Sequence, residues 1–415
     1  MVCGEEDLGS APDSNFLQVN IMKQFDERDT MFSRRGLIAG TKKYNDYYKR
    51  HPEFQAEDDR VRESTKNMMA KIFGVEPDKL VLTQKIMAIM QKLMNIVSSL
   101  RIKKIQKDAS DMPIMYGSNT DDEIVRSHIT ISKPALITAK AMNNAAYKQK
   151  VSKRKVKTDP EKLTALIKQL ALSYGADVVG IARLEKHHHY LHRGDMYGMG
   201  VGYGNRISLS YQYAIVVASA LNEEMINRAV KDGVWTAAML GYAKITAVTA
   251  ELALYIKSLG YEAQTDNFFE YYSPMTPLAA AAGIGQIGRC NCVISRQYGN
   301  RLKIGAVLTS IPLIEDEPVD FGMVEFCQAC LKCAIDCPAK AVSFKGPEVF
   351  NGLLQWRHHD TKCMEMWMNL ETGCGICMYS CPFSHGVDPN LTKEMKGNKD
   401  IILKIISIDE EKRKA

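Results

Sequence analysis

Of the eleven cysteines in this 415-residue chain, ten fall after residue 289, and eight of those stand at spacings suited to metal ligation. The first run is Cys327-x2-Cys330-x2-Cys333-x3-Cys337-Pro338, the spacing of one half of a bacterial ferredoxin. The second is Cys363-x10-Cys374-x2-Cys377-x3-Cys381-Pro382. A cuboidal iron–sulfur cluster needs a soft thiolate at each corner. Short x2 loops wrap three corners, and the cysteine before proline reaches the other cluster. Cys327, Cys330, Cys333 and Cys381 are therefore expected to hold one [4Fe–4S] cluster, and Cys337, Cys363, Cys374 and Cys377 a second. Structural zinc would use paired C-x2-C motifs and gain nothing from a C-x2-C-x3-C-P ending that occurs twice. Thiols in this pattern read as a reduced metal-binding set and not as a disulfide framework.

Other strings invite chemistry and are read more plainly. Gly283-x-Gly285-x-x-Gly288 matches the dinucleotide fingerprint, but it follows the helix-like PLAAAA and no acid stands about 20 residues later. Its glycines either let backbone approach a flat ligand or make a tight turn. The same two readings hold for Gly198–Arg206. Three adjacent imidazoles, His187, His188 and His189, cannot all face one ion, so with His192 they are expected in a solvated loop. Cys290 and Cys292 alternate within an expected strand and read as buried thiols. The chain has no Walker loop, nucleophile elbow, C-x3-C-x2-C radical motif or Asp-x-His-x-x-Gly cobalamin-ligating motif.

The elements that must position these residues fall into four stretches. Residues 1–155 read as a helical and irregular N-terminal region, with apolar residues at helical steps over Leu82–Ile105 and Met87, Met90 and Met94 as packing filler. Residues 156–319 open on Thr-Asp-Pro-Glu, a helix start, and Gly175 ends that helix. ADVVGIARL, YAIVVASAL, a long helix through Trp235–Leu259 and RLKIGAVLTSIPL then alternate strands with helices, which predicts an α/β core closed by a mixed sheet. Residues 320–389 form the cysteine-rich unit, and 390–415 a terminal helix or tail. The class is α+β.

Hydrophobic residues make up 46% and charged residues 25% of the chain, an ordinary globular balance. Its net charge of +6 is spread out, which argues against a nucleic-acid partner. The one concentrated stretch, Lys148–Lys157, reads as a solvated linker. No run of about 18 apolar residues suggests a transmembrane segment. Ser33–Gly40 (SRRGLIAG) has paired arginines, yet TKKYNDYY follows in place of an apolar stretch, so a cytoplasmic location is expected.

The order of pieces resembles the corrinoid-dependent reductive dehalogenases. DERDTMFSRRGL with NDYYKRHPE looks like their N-terminal region, and DPEKLTALIKQLALSYGADVVGIARL like the start of their corrinoid domain. SLGYEAQTDN, PLAAAAGIGQIGR, QYGNRLKIGAVLTSIPL and FCQACLKCAIDCPAKAV follow in family order. The resemblance implies a nitroreductase-like corrinoid-binding α/β core joined to a C-terminal two-[4Fe–4S] ferredoxin-like module, with base-off cobalamin as the second cofactor. It implies reduction of an organohalide by cob(I)alamin fed from the clusters, with an external low-potential donor such as a ferredoxin or flavodoxin. The family's proton-donating tyrosine falls on Tyr242, its basic neighbour on Lys303 with Arg301 as fallback, and a polar asparagine on Asn267. Gly283, Gly285 and Gly288 are the candidate cofactor contacts. A phenol with pKa near 10 is a poor acid at neutral pH unless a cation stabilises the phenolate. Pocket walls would come from scattered aromatics such as Phe268, Phe269, Tyr272 and Trp356.

Two other readings compete. An epoxyqueuosine reductase, a tRNA-modifying relative with the same parts, would use an aspartate, and Asp266 stands beside Asn267. An iron–sulfur electron-transfer protein without corrinoid would explain the cysteines alone.

Overall fold

The computed structural model describes residues 23–73, 123–194, 202–229, 233–370 and 373–414. Three N-terminal helices, α1 (Met31–Arg35), α2 (Lys42–Arg50) and α3 (Pro52–Phe73), precede a long helix α4 (Glu123–Lys148). The core then runs α5 (Pro160–Ser173), β1 (Val178–Arg183), β2 (Tyr213–Ala220), α6 (Glu223–Asn227), α7 (Gly233–Ser258), β3 (Ala263–Asp266), α8 (Met275–Ala281), β4 (Gln286–Ile287), β5 (Val293–Ile294) and β6 (Leu302–Thr309). The cysteine module comprises α9 (Met323–Cys330), α10 (Lys332–Ile335), β7 (Glu348–Phe350), β8 (Leu353–Gln355), α11 (Asp360–Leu370) and α12 (Ile376–Tyr379), followed by α13 (Pro389–Glu394) and α14 (Lys399–Lys414). The expected helix Leu82–Ile105, with its three methionines, lies outside the described residues, as do residues 198–201.

Local signals place the first core elements. The Asp159 carboxylate accepts the Lys162 N–H at 3.0 Å, Pro160 opens α5, and Gly175 at φ 110° lets the chain turn out of it. Strand β2 then alternates faces with period two. Ile215 and Val217 join one core cluster with α4, α5 and α7, while Ala214, Val216 and Ala218 join another with α8. The sheet is ordered β1-β2-β6-β3 and every pairing is antiparallel, so the expected mixed sheet is corrected. The polar run Ala263–Asp266 is a strand without an apolar signal. It is specified by pairing with Ala306–Thr309 of β6 and not by its own composition.

Two segments set apart by sequence are built into the body. Helix α4 packs along α7, and Lys257 of α7, itself buried, donates to Ala146 O at 2.7 Å. Helix α14 sends Ile402 and Ile405 into the core of the cysteine module, and its Asp409 accepts from Lys332 at 2.7 Å. The coil from Gln149 to Lys157, expected as a solvated linker, is instead tied to the end of α7: Ser152 N donates to Lys257 O and Val156 N to Leu259 O, both at 2.9 Å, and Tyr261 donates to Val156 O at 3.0 Å. Arg34 of the paired arginines is buried in an ion pair with Asp58 at 2.9 Å, and Tyr48 donates to the same carboxylate. Among the described residues, α7 is long and apolar enough to cross a membrane, and most of its apolar stretch is buried as the central helix of the core.

Gly180 marks the closest approach of β1 to the end of α8, because a Cβ there would lie 2.0 Å from Ala282 O. Backbone cannot give way as a side chain tip can. Gly180→Ala is therefore expected to lower unfolding stability by about 1–3 kcal/mol or more. Gly346→Ala, where a Cβ meets nothing within 4 Å, should leave the urea midpoint unchanged. Equal midpoints for the two variants would refute this packing argument.

Candidate active site and cysteine module

The two C-x2-C turns following α9 and preceding α12 are curled by left-handed residues, Leu331 at φ 55° and Gly375 at φ 67°. Such a turn folds a short loop back so that its thiols face one centre. Cys327, Cys330, Cys333 and Cys381 line one small cavity, together with Cys377 and Cys290. Cys363 enters from α11 and lies within electrostatic reach of Cys374 and Cys337, while Cys377 feels Cys363, Cys374 and Cys337. The first expected set thus shares one cavity, which Cys377 of the second set also lines, and the members of the second set lie within electrostatic reach of one another.

The donor chemistry fits clusters better than single ions. Among the described residues, no three His, Cys, Asp or Glu side chains close around a point as one metal ion requires. A cuboid spaces its thiolates further apart. Backbone N–H groups point at the sulfurs, Arg289 N to Cys327 Sγ at 3.4 Å and Ala341 N to Cys337 Sγ at 3.3 Å. Burial pushes the Cys327 and Cys333 thiols up and the Cys363 thiol to about 12.

The stretch from Gln286 to Arg301 joins core and module. Gln286 accepts from Phe321 N and Met323 N at 2.8 and 3.2 Å, holding the start of α9. Buried Arg289 donates to Cys327 O at 2.9 Å and to Ser343 O and Lys345 O at 2.6 and 2.9 Å, with its guanidinium over Trp356. Arg301, also buried, donates to Ser384 O at 2.5 Å and to Leu221 O, and pairs with Glu223 at 3.3 Å. It is fully committed to this joint, which removes it as the fallback cation.

On the other side of the joint lies the expected catalytic pair. The Lys303 ammonium stands 4.6 Å from the centre of the Tyr242 ring. Strand β6 carries Lys303 toward α7 at Gly241, where a Cβ would come within 2.9 Å of Lys303 Cγ. Phe268 packs on Tyr242 with centroids 4.6 Å apart and the rings tilted by 32°, and Phe269 meets Phe268 edge-on. Among the described residues no carboxylate pairs with Lys303. Opposite it in the β2–β6 register is Ser219, buried, whose hydroxyl has no hydrogen-bond partner among the described residues. The first turn of α7 meets the cysteine module: Gly375 lies against Val234, and Met378 and Tyr379 pack with Leu221, Ile226 and Val234. Tyr242 is eight residues further on, about 12 Å along the helix.

Other expected residues lie elsewhere. Asn267 is buried beside this face, but its amide donates to Asn143 and Thr249 at 2.9 and 3.0 Å and accepts from Phe269 N. It shapes the turn that carries Phe268. Gly283, Gly285 and Gly288 meet protein where a ligand was expected: Cβ atoms there would touch Glu317 O at 2.8 Å, Ile294 O at 2.2 Å and Ile294 Cδ1 at 2.2 Å. Their tight-turn reading is the one that matches. Trp356 is in the module core, and Tyr272 lines a separate 260 Å³ cavity with Arg193 and Arg206. The histidines are not a solvated loop. His188 is buried, and His192 holds Asp26 at 2.8 Å. Cys290 and Cys292 flank Asn291 at φ 59° in a turn before β5, not in a strand.

Asp266, the alternative acid, is completely buried at the end of β3 and accepts from Tyr272 N at 2.9 Å. Burial pushes its carboxyl up to about 7. The folded chain then keeps a proton that the unfolded chain, with an ordinary aspartate near 3.9, releases. This part of the stability is full below about pH 4 and is lost as pH rises to about 7. Urea midpoints at pH 5 and pH 8 should differ more in the parent than in Asp266→Asn. Identical pH dependence in the two would refute it.

The sequence profile of the 4Fe–4S dicluster domain matches residues 326–385. Tetrachloroethene reductive dehalogenase of Sulfurospirillum multivorans is 30% identical over 261 residues, 55% of this chain and 52% of that protein. The chain thus spans about half the length of this curated relative. Epoxyqueuosine reductase of Lactococcus garvieae is 30% identical over 129 residues, 30% of this chain and 36% of that one. Both relatives are oxidoreductases. In fold, a catabolic reductive dehalogenase solved in complex with 3-bromo-4-hydroxybenzoic acid aligns over 69% of this chain and 43% of its own, with TM-score 0.58 and 23% identity. By sequence and fold, this mixed α/β chain is a relative of the reductive dehalogenases that carries a 4Fe–4S dicluster domain.

Proposed function

We propose that the chain is a reductive dehalogenase that removes halogen from an organohalide, using a corrinoid and two [4Fe–4S] clusters. The observation that carries this reading is the Lys303 ammonium over Tyr242, on a face where Ser219 also offers a buried donor without a partner among the described residues. Such donors suit the polar rim and side chains of a corrinoid, and the flanking aromatics suit a flat apolar substrate. The core is then the nitroreductase-like corrinoid domain. The corrinoid is proposed in its base-off form. When bound, a reduced corrinoid supplies the electrons that break the carbon–halogen bond.

The chain's own residues do the rest. Tyr242 donates its phenolic proton to the organic product. Lys303 holds the phenolate until solvent returns the proton. Phe268 covers the ring and limits water. Cys337, Cys363, Cys374 and Cys377 hold the cluster nearer this face, because α12 abuts the start of α7. Cys327, Cys330, Cys333 and Cys381 hold the other, which receives electrons from a separate low-potential donor such as a ferredoxin or flavodoxin. A cytoplasmic location belongs to the same proposal.

Removing a positioned general acid typically costs on the order of 10²–10⁴ in rate. Tyr242→Phe should keep fold, iron and corrinoid while dehalogenation of a halogenated phenol or alkene falls at least about a hundredfold, and Lys303→Met should lose a similar factor. Turnover within about threefold of the parent, with cofactor reduction shown not to limit the rate, would falsify the assignment. Reduction of an epoxyqueuosine-containing tRNA without dehalogenation would instead support the relative that uses an aspartate.

The two ligand sets give a second expectation, about eight iron and eight acid-labile sulfide per reconstituted chain. Cys363→Ala should lose about half of both and spare the cluster of Cys327, Cys330, Cys333 and Cys381. Four of each in the parent would count against the second cluster.

A further inference from the structure

The turn between β4 and β5 belongs to the core, yet it is pressed onto the first ligand set. A Cβ at Gly288 would lie 3.5 Å from Cys327 Sγ, and the next residue donates its backbone N–H to that sulfur. Cys290 follows. It is buried, it lines the same cavity as Cys327, Cys330, Cys333, Cys377 and Cys381, and it lies within electrostatic reach of Cys327, Cys333 and Cys381.

The surroundings of its sulfur are those of a ligand and not of a packed thiol. Asn300 is buried, and its Nδ2 is 3.2 Å from Cys377 O and 3.2 Å from Cys290 Sγ. A carbonyl oxygen only accepts, so the nitrogen of the amide must face both groups, and Cys290 sulfur receives an N–H. Ser384 then donates to Asn300 Oδ1 at 2.6 Å, which is compatible with that orientation. Cys327 and Cys337, both in the ligand sets, accept an N–H in the same way. A buried thiol in apolar packing has no need of such a donor.

We propose that Cys290 is an additional iron ligand: a fifth thiolate for the cluster of Cys327, Cys330, Cys333 and Cys381, able to take an iron site when one of its neighbours in that set is lost. This rests on the two-cluster reading, and the two fail differently, since a parent with four irons sinks that reading before Cys290 is touched. The step changes no oxidation state: at the iron left open by the missing cysteine the incoming thiolate displaces water or hydroxide, and its thiol proton goes to solvent.

The test is iron and sulfide content, with electron paramagnetic resonance of the reduced protein, after anaerobic reconstitution. Cys327→Ala, Cys333→Ala and Cys381→Ala are each made with Cys290 present and with Cys290→Ala added. Serine replaces alanine in any background that is insoluble. In at least one background the single variant should keep about eight irons and both cluster signals, while the added Cys290→Ala drops it to about four and one signal. Loss of the first cluster in all three single variants, to the same extent with and without Cys290, would overturn the proposal.

Discussion

Two buried guanidinium groups hold this molecule together as one unit. Arg289 and Arg301 leave a core segment and end on carbonyl oxygens of the cysteine module, at Cys327, Ser343 and Lys345 for one and Ser384 for the other. Taking a charge out of water costs several kcal/mol, and only a near-complete set of hydrogen bonds, each worth about 1.5–3 kcal/mol when charge-assisted, offsets it. The donors of Arg289 reach their acceptors only if the module is docked in one orientation. The penalty for a misplaced module is therefore steep, and the relation between cysteine module and core is set within hydrogen-bond tolerance.

That orientation has a functional consequence. The module presses Gly375 onto Val234 and packs Met378 and Tyr379 beside it, at the end of the helix that carries Tyr242. One helix then relates the turn of Cys374 and Cys377 to the Tyr242–Lys303 pair. Gly241 allows the second approach, because no side chain intervenes where the Lys303 stem crosses α7. Asn267 serves the same geometry from behind, spending its amide on Asn143, Thr249 and Phe269 so that Phe268 lies over the tyrosine.

Much of this was legible in the chain itself where the signal is local. The eight cysteines read as ligands stand out by spacings of two, three and ten residues, and they lie in the stretch matched by the 4Fe–4S dicluster domain. The start of α5 follows from Asp159 and Pro160, and strands β1, β2 and β6 from their apolar runs. Lys303 and Tyr242 were reached only through resemblance. Nothing in either local sequence says that a strand residue will stand over a helix ring 61 positions earlier in the chain.

What the tertiary structure alone decided is everything that depends on a distant partner. Strand β3 exists because β6 offers it hydrogen bonds, since its polar residues carry no strand pattern. The sheet is antiparallel throughout because of how the connections cross it, which alternating elements do not specify. The Gly283–Gly288 run looked equally suited to a ligand or a turn, and only the carbonyls of Glu317 and Ile294 show that protein fills the space. Cys290 read as a buried thiol from its neighbours in sequence, and it is buried, but among five other cysteines that arrive from 37 to 91 residues away. Spacing along a chain reports the chemistry of groups that a short loop can gather. Groups that meet through the docking of two separate units are set by packing and buried hydrogen bonds, whose energies belong to both surfaces at once.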